Sequence, residues 1–277
     1  MGLRINTNVP SLSAQRSLGR TLARLASNYN RLSSGERIYR AGDDAAGLAI
    51  SENLRGNIRG IRQAKRNAND AISLTQVAEG GLNEISNILI RMRELSVQAA
   101  SDTIGVAERA FTDTEFQQLK DEIDRIARST EYTGNRLLDG TTPDMEFQIG
   151  IHNDPLLDRI YWSGSEADSS LVALGLTGES IRTKNGAQNT LSILDEALLG
   201  VNGTRAKLGA FQNRLASIIN NLEISDENFS AAKSRIRDVD VAYETAELAK
   251  NNILYQAGVS ILAQANAYPN AALKLIG

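Results

Sequence analysis

Leu18-Gly19-Arg20-Thr21-Leu22-Ala23-Arg24-Leu25-Ala26-Ser27-Asn28-Tyr29-Asn30-Arg31-Leu32 decides the fold class, because Leu18, Leu22, Leu25, Tyr29 and Leu32 follow one another at steps of four and three. That is the seam spacing of a helix that packs against another helix. The far end of the chain repeats the steps with Ala242, Ala246, Ala249 and Ile253, mostly small residues that let helices approach closely. Residues 3–32 and 241–268 thus read as two apolar-striped helices. Each is too thinly apolar to offset the entropy of ordering its own backbone. The first 42 residues depend on anchors such as Leu3, Ile5, Leu12, Leu18 and Leu25, which must be buried against something else. The natural candidates are the other terminus and neighbouring copies of the chain. Both ends are therefore expected to be disordered in an isolated monomer and ordered in an assembly.

Composition agrees with an elongated helical design. Aromatic residues make up only 5% of the 277, so packing must rely on Leu, Ile, Val and Ala. Proline occurs only at positions 10, 143, 155 and 269, leaving 11–142 and 156–268 free to form very long helices. The net charge of −3 gives no reason to expect nucleic acid as a partner. Its distribution is uneven: residues 1–42 carry seven arginines against Glu36 alone, whereas residues 238–277 carry Lys250 and Lys274 against Asp238, Asp240, Glu244 and Glu247. Opposite signs favour the two ends lying together, although exposed ion pairs are individually worth only about 0–1 kcal/mol. Cysteine is absent, which removes disulfides and thiol catalysis. No stretch has the continuous apolar length of a membrane span, so no membrane contact is expected, and Met1-Gly2-Leu3-Arg4-Ile5-Asn6 lacks the apolar run of a cleaved secretory signal.

Working inward, the first helix is expected to start near Pro10-Ser11, with Ser11 as cap, and to stop at Ser33-Ser34-Gly35. Asp43 or Asp44 can cap a second helix that runs to about Ala100, with Ala78, Leu82, Ile85, Leu89, Met92, Leu95 and Ala99 on its buried face. A third helix fits 105–129, with Phe111, Phe116, Leu119, Ile123 and Ile126 on its apolar side. Glycines and prolines then break the pattern, and Met145 to Ile151 and Asp158 to Trp162 alternate as paired strands joined through His152-Asn153-Asp154-Pro155. Helical spacing returns from Leu191 through Leu222 and extends to about 235. The expected fold is mainly α: a long antiparallel helical rod or coiled coil with a small β-hairpin region near 140–180 and a discontinuous terminal helical domain.

Catalytic chemistry finds little support. His152 is the single histidine, so no dyad or multi-histidine metal site can be built, and it reads as a turn residue. Asp43/Asp44 and Asp238/Asp240 read as caps and linkers rather than cation ligands. Ser230-Ala231-Ala232-Lys233 has the spacing of acyl-transferring serine enzymes but lacks the companion motifs. No phosphate loop or dinucleotide turn is present. Asn202-Gly203-Thr204 and Asn228-Phe229-Ser230 fit the glycosylation triplet by chance as readily as by purpose. No catalytic, cofactor-binding or metal residue is expected.

Several ordered segments carry a closer resemblance. They are Arg31-Leu32-Ser33-Ser34-Gly35 with Arg37-Ile38, Asp43-Asp44-Ala45-Ala46-Gly47-Leu48-Ala49-Ile50, Asn67-Ala68-Asn69-Asp70, Arg93-Glu94-Leu95, Ser234-Arg235-Ile236, Gln256-Ala257-Gly258 and Leu262-Ala263-Gln264-Ala265-Asn266. In this order they resemble bacterial flagellin, the subunit of the flagellar filament, over about residues 1–140 and 185–277, in a short form without the outer variable domains. A hook–filament junction protein is the alternative, since it shares the general plan. The resemblance implies an inner coiled-coil domain from residues 1–44 and 238–277, lining the filament channel, and an outer helical domain from 45–237. The assembly seam of the inner domain would comprise Leu18, Leu22, Leu25, Tyr29, Leu32, Ala242, Ala246, Ala249, Ile253 and Leu262. It further implies an extracellular helical homopolymer for swimming motility, exported through the flagellar type III apparatus without a cleaved signal peptide. The implied partners are further copies of the chain, an export chaperone, and cap and junction proteins. Arg91, Leu95 and Glu115 correspond to family positions contacted by the vertebrate flagellin-sensing Toll-like receptor, while Ile90 stands where well-recognised members carry glutamine.

Overall fold

The computed structural model describes residues 7–273, and side chains over residues 7–267. Leu3, Ile5 and the Met1–Asn6 segment lie outside the described residues. The described residues are mainly helical, with long antiparallel helix pairs and, among them, two small two-stranded sheets. Its contacts divide it into two units: one runs through Ile58 and resumes at Glu227, the other is Arg59–Asp226.

The first unit holds α1 (Val9–Ser34), the start of α2 (Ala45–Ala99), the end of α4 (Lys184–Arg237) and α5 (Val241–Leu273). Asn8, not Ser11, caps α1: its Oδ1 accepts from the Ser11 N–H at 3.2 Å, and Pro10 fits the first turn, where no intrahelical partner is needed for its missing N–H. Gly35 ends the helix at φ 71°, its N–H donating to the Arg31 carbonyl at 2.9 Å. Asp44 caps α2 through the Gly47 N–H at 2.9 Å.

The two connectors that follow α1 and α4 are stitched together. The Arg37 N–H donates to the Arg237 carbonyl at 2.7 Å, the Val239 N–H to the Gly35 carbonyl at 3.0 Å, and Glu36 and Asp238 form an antiparallel bridge. The Arg237 guanidinium pairs with Glu36 at 2.8 Å and with Glu52 on α2.

In the second unit α2 and α4 run antiparallel, as their cross-links require: Arg62 meets Asp226, Lys65 meets Glu223, Gln212 donates to Glu79, and Arg93 meets Asp195. The expected α2 face is buried throughout, from Ala78 to Ala99. Helix α3 (Val106–Ser129) buries Phe116 and Ile123 against it. Phe111 departs from expectation at 76% exposed, because five residues before Phe116 lies well off that face. Helix α4 begins before Leu191, where Thr183 Oγ1 accepts from the Gly186 N–H at 3.1 Å and the small Ala187 and Thr190 are buried.

Strands β3 (Met145–Gln148) and β4 (Arg159–Trp162) pair with Met145 opposite Trp162 and Phe147 opposite Ile160. The first strand stops short of Ile151 because the Ile149 and Gly150 N–H groups both donate to the Asp158 carbonyl, a bulge that ends regular pairing. A second hairpin, β1 (Glu131–Tyr132) with β2 (Asn135–Arg136), escaped the sequence reading. Its two-residue turn places both Thr133 (φ 49°) and Gly134 (φ 84°) in the left-handed region, as a tight hairpin turn demands.

Candidate assembly surface

Helices α1 and α5 pack antiparallel along a heptad seam. On α1 the covered positions are Ser11, Ala14, Leu18, Thr21, Leu25, Asn28 and Leu32; on α5 they are Glu244, Leu248, Asn251, Tyr255, Gly258, Leu262 and Ala265. Both series advance by alternating threes and fours, the knobs-into-holes spacing. Asn8 Nδ2 donates to the Ala265 carbonyl at 2.7 Å and Ser11 Oγ to Asn266 Oδ1 at 2.6 Å, which closes one end of the pair.

The sequence-derived seam residues divide between two faces. Leu25 is buried and Leu18, Leu32 and Leu262 are half-buried in the α1·α5 contact. Leu22 (47% exposed), Tyr29 (55%) and Ile253 (66%) lie on the outside, as do Ala242, Ala246 and Ala249. Val9, Leu12, Val241, Tyr243 and Ile261 add to the exposed apolar surface of the same two helices. Exposed apolar side chains thus recur along both helices, which is the surface an interaction site would use.

Asn28, Glu244 and Asn251 were missed in the sequence because hydrophobicity was the guide, and it selects the alanine strip of α5 over a covered strip that contains a glutamate and an asparagine. The strict seven-residue spacing of Leu248, Tyr255 and Leu262 was the signal that could have found the paired face.

The remaining candidates occupy structural positions. Asp43 pairs with Arg40 at 3.3 Å, and Asp240 Oδ1 accepts from the Tyr243 N–H at 3.1 Å at the start of α5. His152 is exposed in the β3–β4 loop, and Asn202, Asn228, Ser230 and Lys233 sit on α4. Arg91 and Glu115 are exposed and joined at 2.8 Å, whereas Leu95 faces the core of the second unit. Hydrogen bonding to Glu115 and then to Glu94 raises the Arg91 pKa above its ordinary value. Among the described residues no cluster of three or more His, Cys, Asp or Glu side chains could hold a metal ion, and no helix is long and apolar enough to cross a membrane.

Two paired helices that also expose apolar side chains, continuous in chain with an antiparallel helical unit, have the build of an elongated helical structural subunit. Comparison with known proteins gives its family. The bacterial flagellin N-terminal helical region matches residues 5–142, and the bacterial flagellin C-terminal helical region matches residues 191–276. The flagellin of Halalkalibacterium halodurans is 45% identical over 272 residues, covering 98% of this chain and 99% of that protein. Bacillus subtilis flagellin is 45% identical over 306 residues, covering 99% and 100%. A crystal structure of Bacillus cereus flagellin shares 36% identity, covers 57% of this chain and 88% of that one, and superposes with a TM-score of 0.50. The chain belongs to the bacterial flagellin family, in a short form, and is a structural, non-enzymatic subunit of the flagellar filament. The family polymerises with itself, and the filament is where this subunit resides.

Proposed function

We propose that the outward faces of α1 and α5, carrying Leu22, Tyr29, Ala242, Ala246, Ala249 and Ile253, are the contacts through which successive copies join in the filament. The observation that carries this reading is the solvent exposure of Tyr29 and Ile253 on helices whose inner faces are already paired. Residues 1–44 and 238–277 form the inner domain around the filament channel, and residues 45–237 the outer domain. Heterologous contacts between identical subunits that do not close into a ring generate open helical filaments, which is the geometry a propeller requires.

In the same reading the subunit leaves the cell unfolded through the flagellar type III apparatus without a cleaved signal peptide. An export chaperone covers the outward apolar faces before assembly, and cap and junction proteins bound the growing polymer. Free monomer offers Arg91 and Glu115 to the vertebrate flagellin-sensing Toll-like receptor; Leu95, at 1% exposed, supports that surface from beneath.

Seeded elongation tests the assembly claim. Purified chain added to filament fragments should sediment as polymer, and Tyr29→Asp with Ile253→Asp should remain in the supernatant with its helix content retained. Undiminished sedimentation of the double variant refutes the placement of the contacts.

A further inference from the structure

The apolar layers of the α1·α5 seam do not fix its register. Leu18, Leu25 and Leu32 lie seven residues apart on one helix, and Leu248, Tyr255 and Leu262 seven apart on the other. Sliding α5 by one heptad, about 10 Å along the axis, brings large apolar residues back into facing layers. The polar positions and one glycine do not repeat in this way. Asn28 Nδ2 donates to Glu244 Oε1 at 2.6 Å, and Asn251 Nδ2 donates to Asn28 Oδ1 at 2.9 Å. All three side chains are buried, at 6%, 3% and 3% exposed for Asn28, Glu244 and Asn251, and Arg31 lies 3.7 Å from the second Glu244 oxygen. Leu18 sits over Gly258, where a Cβ would come within 3.2 Å of its Cδ1.

A slide of α5 in one direction carries Glu244 and Asn251 from Asn28 to Thr21, one heptad earlier. The Thr21 hydroxyl is shorter than the Asn28 amide and already donates to the Ser17 carbonyl at 3.1 Å, so the two buried polar groups lose the amide that served both. A slide in the other direction parts Glu244 from Asn28. Buried polar layers of this kind stabilise less than apolar ones would, and their best-attested use is to specify register.

We propose that the Asn28–Glu244–Asn251 layer is the register lock of the terminal helix pair and thereby a specificity determinant of polymerisation. It sets the height of the outward α5 strip against the outward α1 strip, so that one copy presents a surface matching the next. This rests on the filament reading above, and the following experiment separates the two.

The chain has no cysteine, so paired cysteines report register without background. Leu18→Cys with Gly258→Cys reports the native register, while Ser11→Cys or Leu25→Cys with Gly258→Cys reports slides in either direction. Each pair is placed in the full chain and oxidised under seeded elongation, in the otherwise unaltered background and with Asn28→Leu, Glu244→Leu and Asn251→Leu combined. The unaltered background should cross-link only through 18–258. The triple variant, although its seam is more apolar and its helix content intact, should also cross-link through 11–258 or 25–258 and lose seeded elongation. Glu244→Gln, which can still accept from Asn28, should retain the native pattern and elongate. Cross-linking of the triple variant only through 18–258 overturns the lock, and so does normal elongation by a triple variant that does slide. Failure of the unaltered chain to elongate contradicts the filament reading instead, and the cross-link pattern still decides the lock.

Discussion

At Arg237 one side chain ties together three segments, since it reaches Glu36 in the connector after α1 and Glu52 on α2 while its own carbonyl accepts from the Arg37 N–H. The hydrogen bond from Arg237 holds the Glu52 carboxyl below the usual carboxylate range. A depressed acid stabilises the folded state above its unfolded pKa, and that stability is lost as pH falls through the folded value. Glu52→Gln should therefore lower the stability of the first unit at neutral pH and make no difference in strong acid, a convergence that acid titration of helix content would reveal. Added salt should shrink the neutral-pH difference, because these groups are partly exposed. In the second unit Ile85 is fully buried, and Ile85→Ala should cost about 2–5 kcal/mol in denaturant unfolding through lost burial and a residual cavity. Phe111→Ser, by contrast, should change stability by less than about 0.5 kcal/mol, since that ring is mostly in solvent.

Among the elements, the long helices α2 and α4 were legible because their apolar residues recur with helical period and proline is absent from their interiors, whereas α5 continues through Pro269, where the sequence reading ended it. The Ala78 to Ala99 face of α2 and the limits of α3 follow directly from that signal, and the pairing of Met145 to Gln148 with the strand before Ser163 follows from two-residue alternation instead. The β1–β2 hairpin was not legible, because strands of two residues have no period to read and only Thr133-Gly134 marks the turn. Gly134→Ala should destabilise that hairpin by about 1–2 kcal/mol, the penalty of a left-handed conformation on a residue with a Cβ, measurable by amide exchange in residues 131–136. The candidate surface was half legible. Steps of four and three identify helices that pack, but they do not say which of two strips on α5 meets α1 when the covered strip carries Glu244 and Asn251. Leu262 does lie on the covered strip. Leu262→Asp should thus block elongation in a sedimentation assay, while export of the subunit persists and the second unit keeps its helicity.

For the whole molecule, the division of contacts near Ile58 and Glu227 means that each unit has its own packing. Removing residues 1–40 strips α5 of its partner and exposes the covered strip, so the truncated chain should stay soluble and largely helical by circular dichroism and fail to extend filament seeds. Sustained extension by that truncation would contradict the role given to the terminal pair. The pairing of α1 with α5 also sets a schedule. Asn8 and Ala265 are 257 positions apart, and Asn28 and Asn251 are 223 apart. A chain synthesised or threaded from its amino end cannot complete this pair until the segment through Ala265 has emerged. Arrival of α5 therefore times the closing of the pair, and the order in which its two halves appear keeps α1 unpaired until then.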